Sequence, residues 1–365
     1  MATTKVNGSA LAWLMDFAAS AQRSDRLEGH PDHVLLLSAG LLGEAGSVLA
    51  ELKKAKRERD AYPAYRDRMR EEIGDFLWYF ARLCDSAAPE LLAGLRMGAD
   101  HDGHPPLAVG RFLQFGAAVG DVLRVVREEQ DGIRPKLERV WDLLQAIARE
   151  ANVELPDAAK TNTRKTSSIW PSGERHYAPL FDDEFVEDEQ LPRRLQIDFK
   201  ERLWGERHAV ILRCNGINFG DRLTDNIQDP DGYRYHDIFH FAYAVHLGWS
   251  PVIRALLRCK RKSSPDIDEA EDGARAEIID EAVSAIIFSR AKQLNFFDGL
   301  SQVDYDLLKT VTEIVRGYEV ERVPLWQWEA AILDGYAIFR QLRVNRGGRV
   351  AVDLEKRQLT YIAPT

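Results

Sequence analysis

GLLGEAGSVLAEL, residues 40–52, and EEIGDFLWYFARL, residues 71–83, decide how the first half of this chain folds. In the second stretch Ile73, Leu77, Phe80 and Cys84 recur at helical spacing, so a helix is expected over about 64–87. The first stretch lies in a helix expected from Pro31, a residue suited to a first turn, to about 59. Asp75 sits among Ile73, Phe76, Leu77 and Trp78, where an uncompensated buried carboxylate would be costly. Glu72, three residues earlier, projects to the same side. Two hard oxygen ligands on one face suit Mg²⁺, which keeps several waters and shares positions with substrate phosphates.

Glu44 on the preceding helix is a candidate third ligand. Gly40, Gly43 and Gly46 flank it, each costing about 1 kcal/mol relative to alanine in a helix interior. Such a cost is tolerated where another backbone must come close. Ser47 stands where a second carboxylate would complete a pair with Glu44. Glu51, seven residues beyond Glu44, returns to nearly the same face and is a further candidate ligand. The bland alternative is a close-packed helix pair with surface acids.

Working outward, the chain has 365 residues, which suggests two domains. A net charge of -9 argues against a general nucleic-acid binder. Cys84, Cys214 and Cys259 are too widely spaced for a zinc or disulfide framework and read as reduced thiols. The sequence shows neither a leader pattern nor an apolar run of membrane-spanning length, so a cytoplasmic protein without membrane contact is expected. The first 155 or so residues read as helices. The polar stretch 160–194 ends in a run of acids and places a domain boundary near 172–190.

The second half changes character. LQIDFKERLW, HAVILRCNGINFG, RVAVDL and QLTYI are β-rich, and a small antiparallel sheet joining the two ends of this domain is expected. Helices are expected between them at about 235–259, 270–293, 302–318 and 325–343. The first of these reads as amphipathic. The fold class is therefore mainly α: a helical bundle over 1–171, a linker over 172–190, and a helical domain with a β appendage over 191–365.

GLLGEAGSVLAELKK followed by REEIGDFLWYFARL resembles the MazG-type all-α nucleotide pyrophosphohydrolases, whose pattern is ExxE, a gap, then ExxD. Glu44, Glu72 and Asp75 match its first, third and fourth positions, and Ser47 replaces the second glutamate. DAAKTNTRKTSSIWP is similar to the family's NxxK segment, which implies that Asn162 and Lys165 bind substrate phosphates. The resemblance covers roughly 30–171. It implies hydrolysis of an NTP or dNTP to the monophosphate and pyrophosphate with Mg²⁺ or Mn²⁺, and assembly as a homodimer or higher homo-oligomer. Ser47 keeps open an alternative, a nucleotide sensor or scaffold with a degenerate first site.

Further residues extend this site. Lys53, Lys54, Lys56 and Arg57 end the second helix, where they favour the helix dipole and could draw in triphosphate. Trp78 and Trp13 could stack on a base or be ordinary core residues.

A second constellation lies in YRYHDIFHFAYAVHLGWSPVIRALLRCKRKS and ARAEIIDEAVSAIIFSRAK. Asp237 and His240 are spaced i, i+3, and His236 and His240 i, i+4. Glu277 and Asp280 repeat the ExxD spacing, with Glu281 beside them. This text resembles the C-terminal half of longer MazG-related proteins. Asp237, His240, Glu277, Asp280 and Glu281 are a candidate second site, with Lys260 and Lys262 of the run Arg258–Lys262 as phosphate attractors. A histidine ligand would shift preference toward Mn²⁺, Fe²⁺ or Zn²⁺. Two alternatives stand beside it: an HD-type phosphohydrolase built on His236 and Asp237, or a structural network in which the histidines bond to TDN at 224–226.

Overall fold

A computed structural model describes residues 11–98, 108–128 and 132–363. The chain is mainly helical with one small sheet, and it divides into two compact units, Met1–Glu174 and Arg175–Thr365.

The first unit consists of α1 (Ala12–Arg23), α2 (His33–Glu58), α3 (Tyr65–Ala87), the single turn α4 (Leu91–Gly94), α5 (Val109–Arg127), α6 (Ile133–Glu150) and α7 (Leu155–Ile169). Leu37, Leu41, Ala45 and Val48 of α2 are fully buried, as are Ile73, Phe76, Leu77 and Phe80 of α3. Phe76 stacks on Phe80 and meets Phe115 of α5, and Phe80 stacks on Trp141 of α6, so one aromatic core ties the bundle together. The stripe read in residues 73–84 is therefore the core face of α3. α2 ends where Arg59 takes a positive φ of 49°, and α7 begins with a proline in its first turn.

The helical run His33–Ala61 is apolar and long enough to cross a membrane by length and composition. Its buried leucines belong to the bundle core.

Gly40, Gly43 and Gly46 do not share one role. A Cβ on Gly40 would fall 2.2 Å from the Tyr79 ring of α3, so this glycine admits the neighbouring helix. Gly43 and Gly46 face open space within the unit, and the expectation of close packing fails there. The close backbone approach lies instead at Gly74, where a Cβ would be 2.5 Å from the Ala158 carbonyl oxygen of α7.

The second unit contains a five-stranded antiparallel sheet in the order β3-β2-β1-β4-β5. Its strands are β1 (Arg194–Trp204), β2 (Arg207–Cys214), β3 (Ile217–Leu223), β4 (Gly347–Asp353) and β5 (Gln358–Ile362). β1 pairs with β4 in the register Ile197↔Val350, so the two ends of the unit do meet. Ile197, Phe199, Val210, Leu212, Val350 and Val352 form its buried face.

The helices of this unit are α8 (Asp237–Leu247), α9 (Pro251–Leu257), α10 (Pro265–Ala270), α11 (Ala274–Gln293), α12 (Tyr305–Ile314) and α13 (Leu325–Asn345). Two expectations need correction. The helix expected over 235–259 is broken: Gly248 adopts φ 71°, Ser250 caps Ile253 N, and Pro251 opens α9. α8 is not amphipathic, since every residue from Asp237 to Leu247 is buried, which makes it the central helix of the unit.

The polar segment before β1 packs onto the second unit. Asp182 is buried and accepts from Arg254 at 2.7 Å and from Leu191 N at 2.6 Å, while Ala178 N donates to Gln327. One member of the basic run is also structural. Arg261 is fully buried against Asp272 and Glu319, both at 2.7 Å. Removing either partner of such a pair typically costs about 3–5 kcal/mol.

Candidate functional sites

In the first unit, three elements bring five of the named residues together. α2 supplies Glu44, α3 supplies Glu72 and Asp75, and one carboxylate oxygen from each lies within 4.8 Å of the others. α7 supplies Asn162 and Lys165. The Asn162 amide donates to Asp75 Oδ1 at 2.7 Å, and the Lys165 ammonium contacts both Asp75 oxygens. Asn162 Oδ1 is buried and has no hydrogen-bond partner among the described residues.

Gly74 explains how α7 comes this close. With no side chain between Glu72 and Asp75 on that side, Ala158 packs on the α3 backbone and carries Asn162 against Asp75.

The electrostatics follow from the crowding. Burial, then the charges of Asp75 and Glu72, push the Glu44 pKa up to about 7, with Lys165 opposing. Burial likewise raises the Tyr79 hydroxyl, with Glu44 and Asp75 adding to it. Lys165 supplies part of the positive charge that three converging acids require.

Other expected members stand apart. Ser47 is half-buried, one turn beyond Glu44. Glu51 is buried, and its carboxylate is taken by the Tyr62 hydroxyl and the Lys54 ammonium. Neither Glu51 nor Lys54 is therefore presented to the three-carboxylate cluster. The Trp78 indole donates to Ser24 Oγ at 2.8 Å and its ring meets Tyr79 edge-on. Trp13, stacked on Trp141, lines a groove of about 510 Å³ with Arg23, Lys160 and Arg164.

The second unit assembles a different cluster from the one expected. His236 and His240, one turn apart at the start of α8, converge with Glu281 of α11, one ligand atom of each lying within 4.8 Å of the others. Asp280 stands behind them. Its Oδ1 is 2.7 Å from His240 Nδ1, and its Oδ2 accepts from Ser250 Oγ at 2.6 Å and Val252 N at 3.2 Å. The break between α8 and α9 thus aims the first turn of α9 at Asp280. Asp237 is buried with Oδ1 3.3 Å from His236 Nε2, and burial raises its pKa despite both histidines.

Glu277 does not join this cluster. It pairs with Lys260 at 2.6 Å, while Lys262 is exposed beside Asp268. ExxD spacing placed Glu277 correctly one turn before Asp280 and Glu281, but Lys260 engages it. The TDN segment is also elsewhere: Asp225 accepts from Gly232 N and Arg234 rather than from the histidines. The i, i+4 spacing of His236 and His240 allowed them to share a ligand, and the structure does bring their rings together.

These features mark a helical, MazG-related chain with acidic clusters on its helices. Residues 176–365, just over half the chain, match the family model described as MazG C-terminal domain, and the chain belongs to that family. It is also similar to the Gene 37 protein of Mycobacterium phage L5, at 35% identity over 63 residues, which is 17% of this chain and 52% of that protein. The chain thus spans about half the length of that curated relative. No solved structure matches.

Proposed function

We propose that the first unit is a MazG-like bundle that hydrolyses a nucleoside triphosphate to the monophosphate and pyrophosphate. The observation that carries this reading is the convergence of Glu44, Glu72 and Asp75 from two helices beneath Asn162 and Lys165 from a third. The donor set fits Mg²⁺ or Mn²⁺: three carboxylate oxygens lie close together, and burial followed by the charges of Asp75 and Glu72 raises the Glu44 pKa. Glu44, Glu72 and Asp75 would hold the ion, which when bound supplies charge neutralisation for the triphosphate and lowers the pKa of water.

The chain's own residues do the rest. Lys165 leaves Asp75 for a phosphate oxygen, exchanging one anion for another at little electrostatic cost. Asn162 keeps Asp75 oriented through its amide and offers its unpaired Oδ1 to a substrate donor. Trp13, Arg23, Lys160 and Arg164, with Asp16, line a separate groove along α7 that shares no residue with this cluster.

A second reading is favoured by one specific feature. With Ser47 in place of a fourth carboxylate, the same pocket binds nucleotide without turning it over. Pyrophosphate release from a panel of NTPs and dNTPs in Mg²⁺ and in Mn²⁺ separates the two. Release that falls by about a hundredfold in Glu72→Gln supports hydrolysis at this site. Nucleotide binding with no release, and binding lost in Lys165→Met, supports the sensor.

Assembly into a homo-oligomer is part of the same reading. Leu35, Leu36, Ala39, Leu42, Gly43 and Gly46 make an exposed, uncharged face of α2. Gly43 and Gly46, whose Cβ positions meet no described residue of the unit, allow a second copy to approach closely.

A further inference from the structure

The protonation pattern of the two histidines at the start of α8 points to a ligand that lies beyond the proposed pyrophosphohydrolase site. His236 Nδ1 is 2.9 Å from the Tyr233 carbonyl oxygen, which can only accept, so Nδ1 carries the proton. His240 Nδ1 faces Asp280 Oδ1 at 2.7 Å, and Asp280 already accepts from Ser250 and Val252 N. As a carboxylate it accepts again, and His240 Nδ1 donates. With Nδ1 so engaged, each imidazole in its neutral form has its lone pair on Nε2, and both Nε2 atoms face Glu281.

Glu281 Oε2 lies 3.7 Å from His236 Nε2 and 3.5 Å from His240 Nε2. His240 is fully buried, and among the described residues its Nε2 has no hydrogen-bond partner at ordinary distance, Glu281 lying 3.5 Å away. One nitrogen of each histidine and one Glu281 oxygen lie within 4.8 Å of one another, beside Asp237 Oδ1 at 3.3 Å from His236 Nε2, a spacing that suits a single cation.

We propose that His236 Nε2, His240 Nε2 and a Glu281 carboxylate oxygen bind a divalent transition-metal ion of the Zn²⁺, Fe²⁺ or Mn²⁺ class. Two imidazoles with one carboxylate select such an ion over Mg²⁺ or Ca²⁺, which prefer all-oxygen sites. The supporting shell is in place. Asp280 fixes the His240 tautomer as a carboxylate–histidine pair, and the Tyr233 carbonyl does the same for His236. The Tyr233 ring lies parallel to His236 with centroids 4.3 Å apart and holds its plane. Glu281 is about half exposed while both histidines are buried, so the mouth of the site opens on the Glu281 side. Three protein donors leave a position open for a small oxygen ligand, as in catalytic rather than structural zinc sites.

The test uses the full chain, stripped with chelator and titrated with Co²⁺ as a spectroscopic probe, with Zn²⁺ in competition and bound metal counted by mass spectrometry. The expected result is one Co²⁺ per chain, displaced by Zn²⁺ in the presence of excess Mg²⁺, with affinity reduced at least tenfold in Glu281→Gln and in His236→Ala. Glu281 is partly exposed, so its variant tests the site without removing a core residue, and circular dichroism verifies its fold. Absence of Co²⁺ binding overturns the proposal, as does equal binding in folded Glu281→Gln. Pyrophosphate release plays no part in this readout, so failure of the first-unit reading is seen separately.

Discussion

The side-chain amide of Asn162 donates to Asp75 at 2.7 Å, locking α7 onto α3 at the residue nearest Lys165. The contact depends on Gly74, whose missing Cβ leaves room for the Ala158 carbonyl. Gly74→Ala should destabilise the first unit by about 1–3 kcal/mol through overpacking against backbone. Urea unfolding measures this, and an unchanged midpoint would show that α7 is free to shift.

Glu44 makes a pH-dependent contribution to stability. Its pKa is pushed up from 4.5 to about 7, so the folded state disfavours its charge. Below about pH 4.5 the group is protonated in both states and carries no penalty. The penalty grows as pH rises and is complete above 7. In metal-free protein, Glu44→Gln should therefore raise the melting temperature at pH 8 and leave it unchanged at pH 4. Solvent screening at this half-buried site limits the gain to ~1 kcal/mol, or about 2–4 °C. A rise at pH 4 alone would contradict this.

Ser47 lies one helical turn from Glu44, where a carboxylate would add a fourth oxygen ligand. Ser47→Glu should lower the Mg²⁺ concentration for half-maximal nucleotide binding by about tenfold, because site charge tunes affinity for hard cations. Calorimetry with Mg²⁺ and a non-hydrolysable triphosphate reads the change. Weaker Mg²⁺ binding in the variant would mean that Ser47 faces away from the ion.

The uncharged face of α2 gives a prediction about mass. Leu42→Glu places a charge among Leu35, Leu36 and Ala39 on that surface and should reduce the mass found by light scattering toward that of one chain. An unchanged oligomer would move the interface off α2.

Much of this was legible in the sequence, for identifiable reasons. The stripe through Ile73, Leu77 and Phe80 has a strong helical period, and its core role followed directly. The β-rich segments at both ends of the second unit did form one sheet. Helical spacing put Glu72 and Asp75 on one face, and the resemblance to the MazG-type pattern added Glu44 from another helix; the three carboxylates do converge. Spacing gave no account of competition for side chains. Glu51 and Glu277 have suitable positions, but Tyr62 with Lys54, and Lys260, engage them. Asp280 and Glu281 are adjacent, and only the packed structure shows that one orients His240 while the other faces the open side. The break at Gly248–Pro251 could have been read from GWSP, since a glycine followed by a serine and a proline ends one helix and starts another.

The pairing of β1 with β4 sets a schedule for synthesis. β2 follows β1 almost at once, but the other edge of β1 waits for a strand made nearly a whole unit later. At about 5–20 residues per second, that edge stays open for roughly seven to thirty seconds. A nascent second unit therefore leaves the ribosome with a bare strand edge that invites foreign pairing, and a ribosome stalled before residue 347 would release a product prone to aggregate.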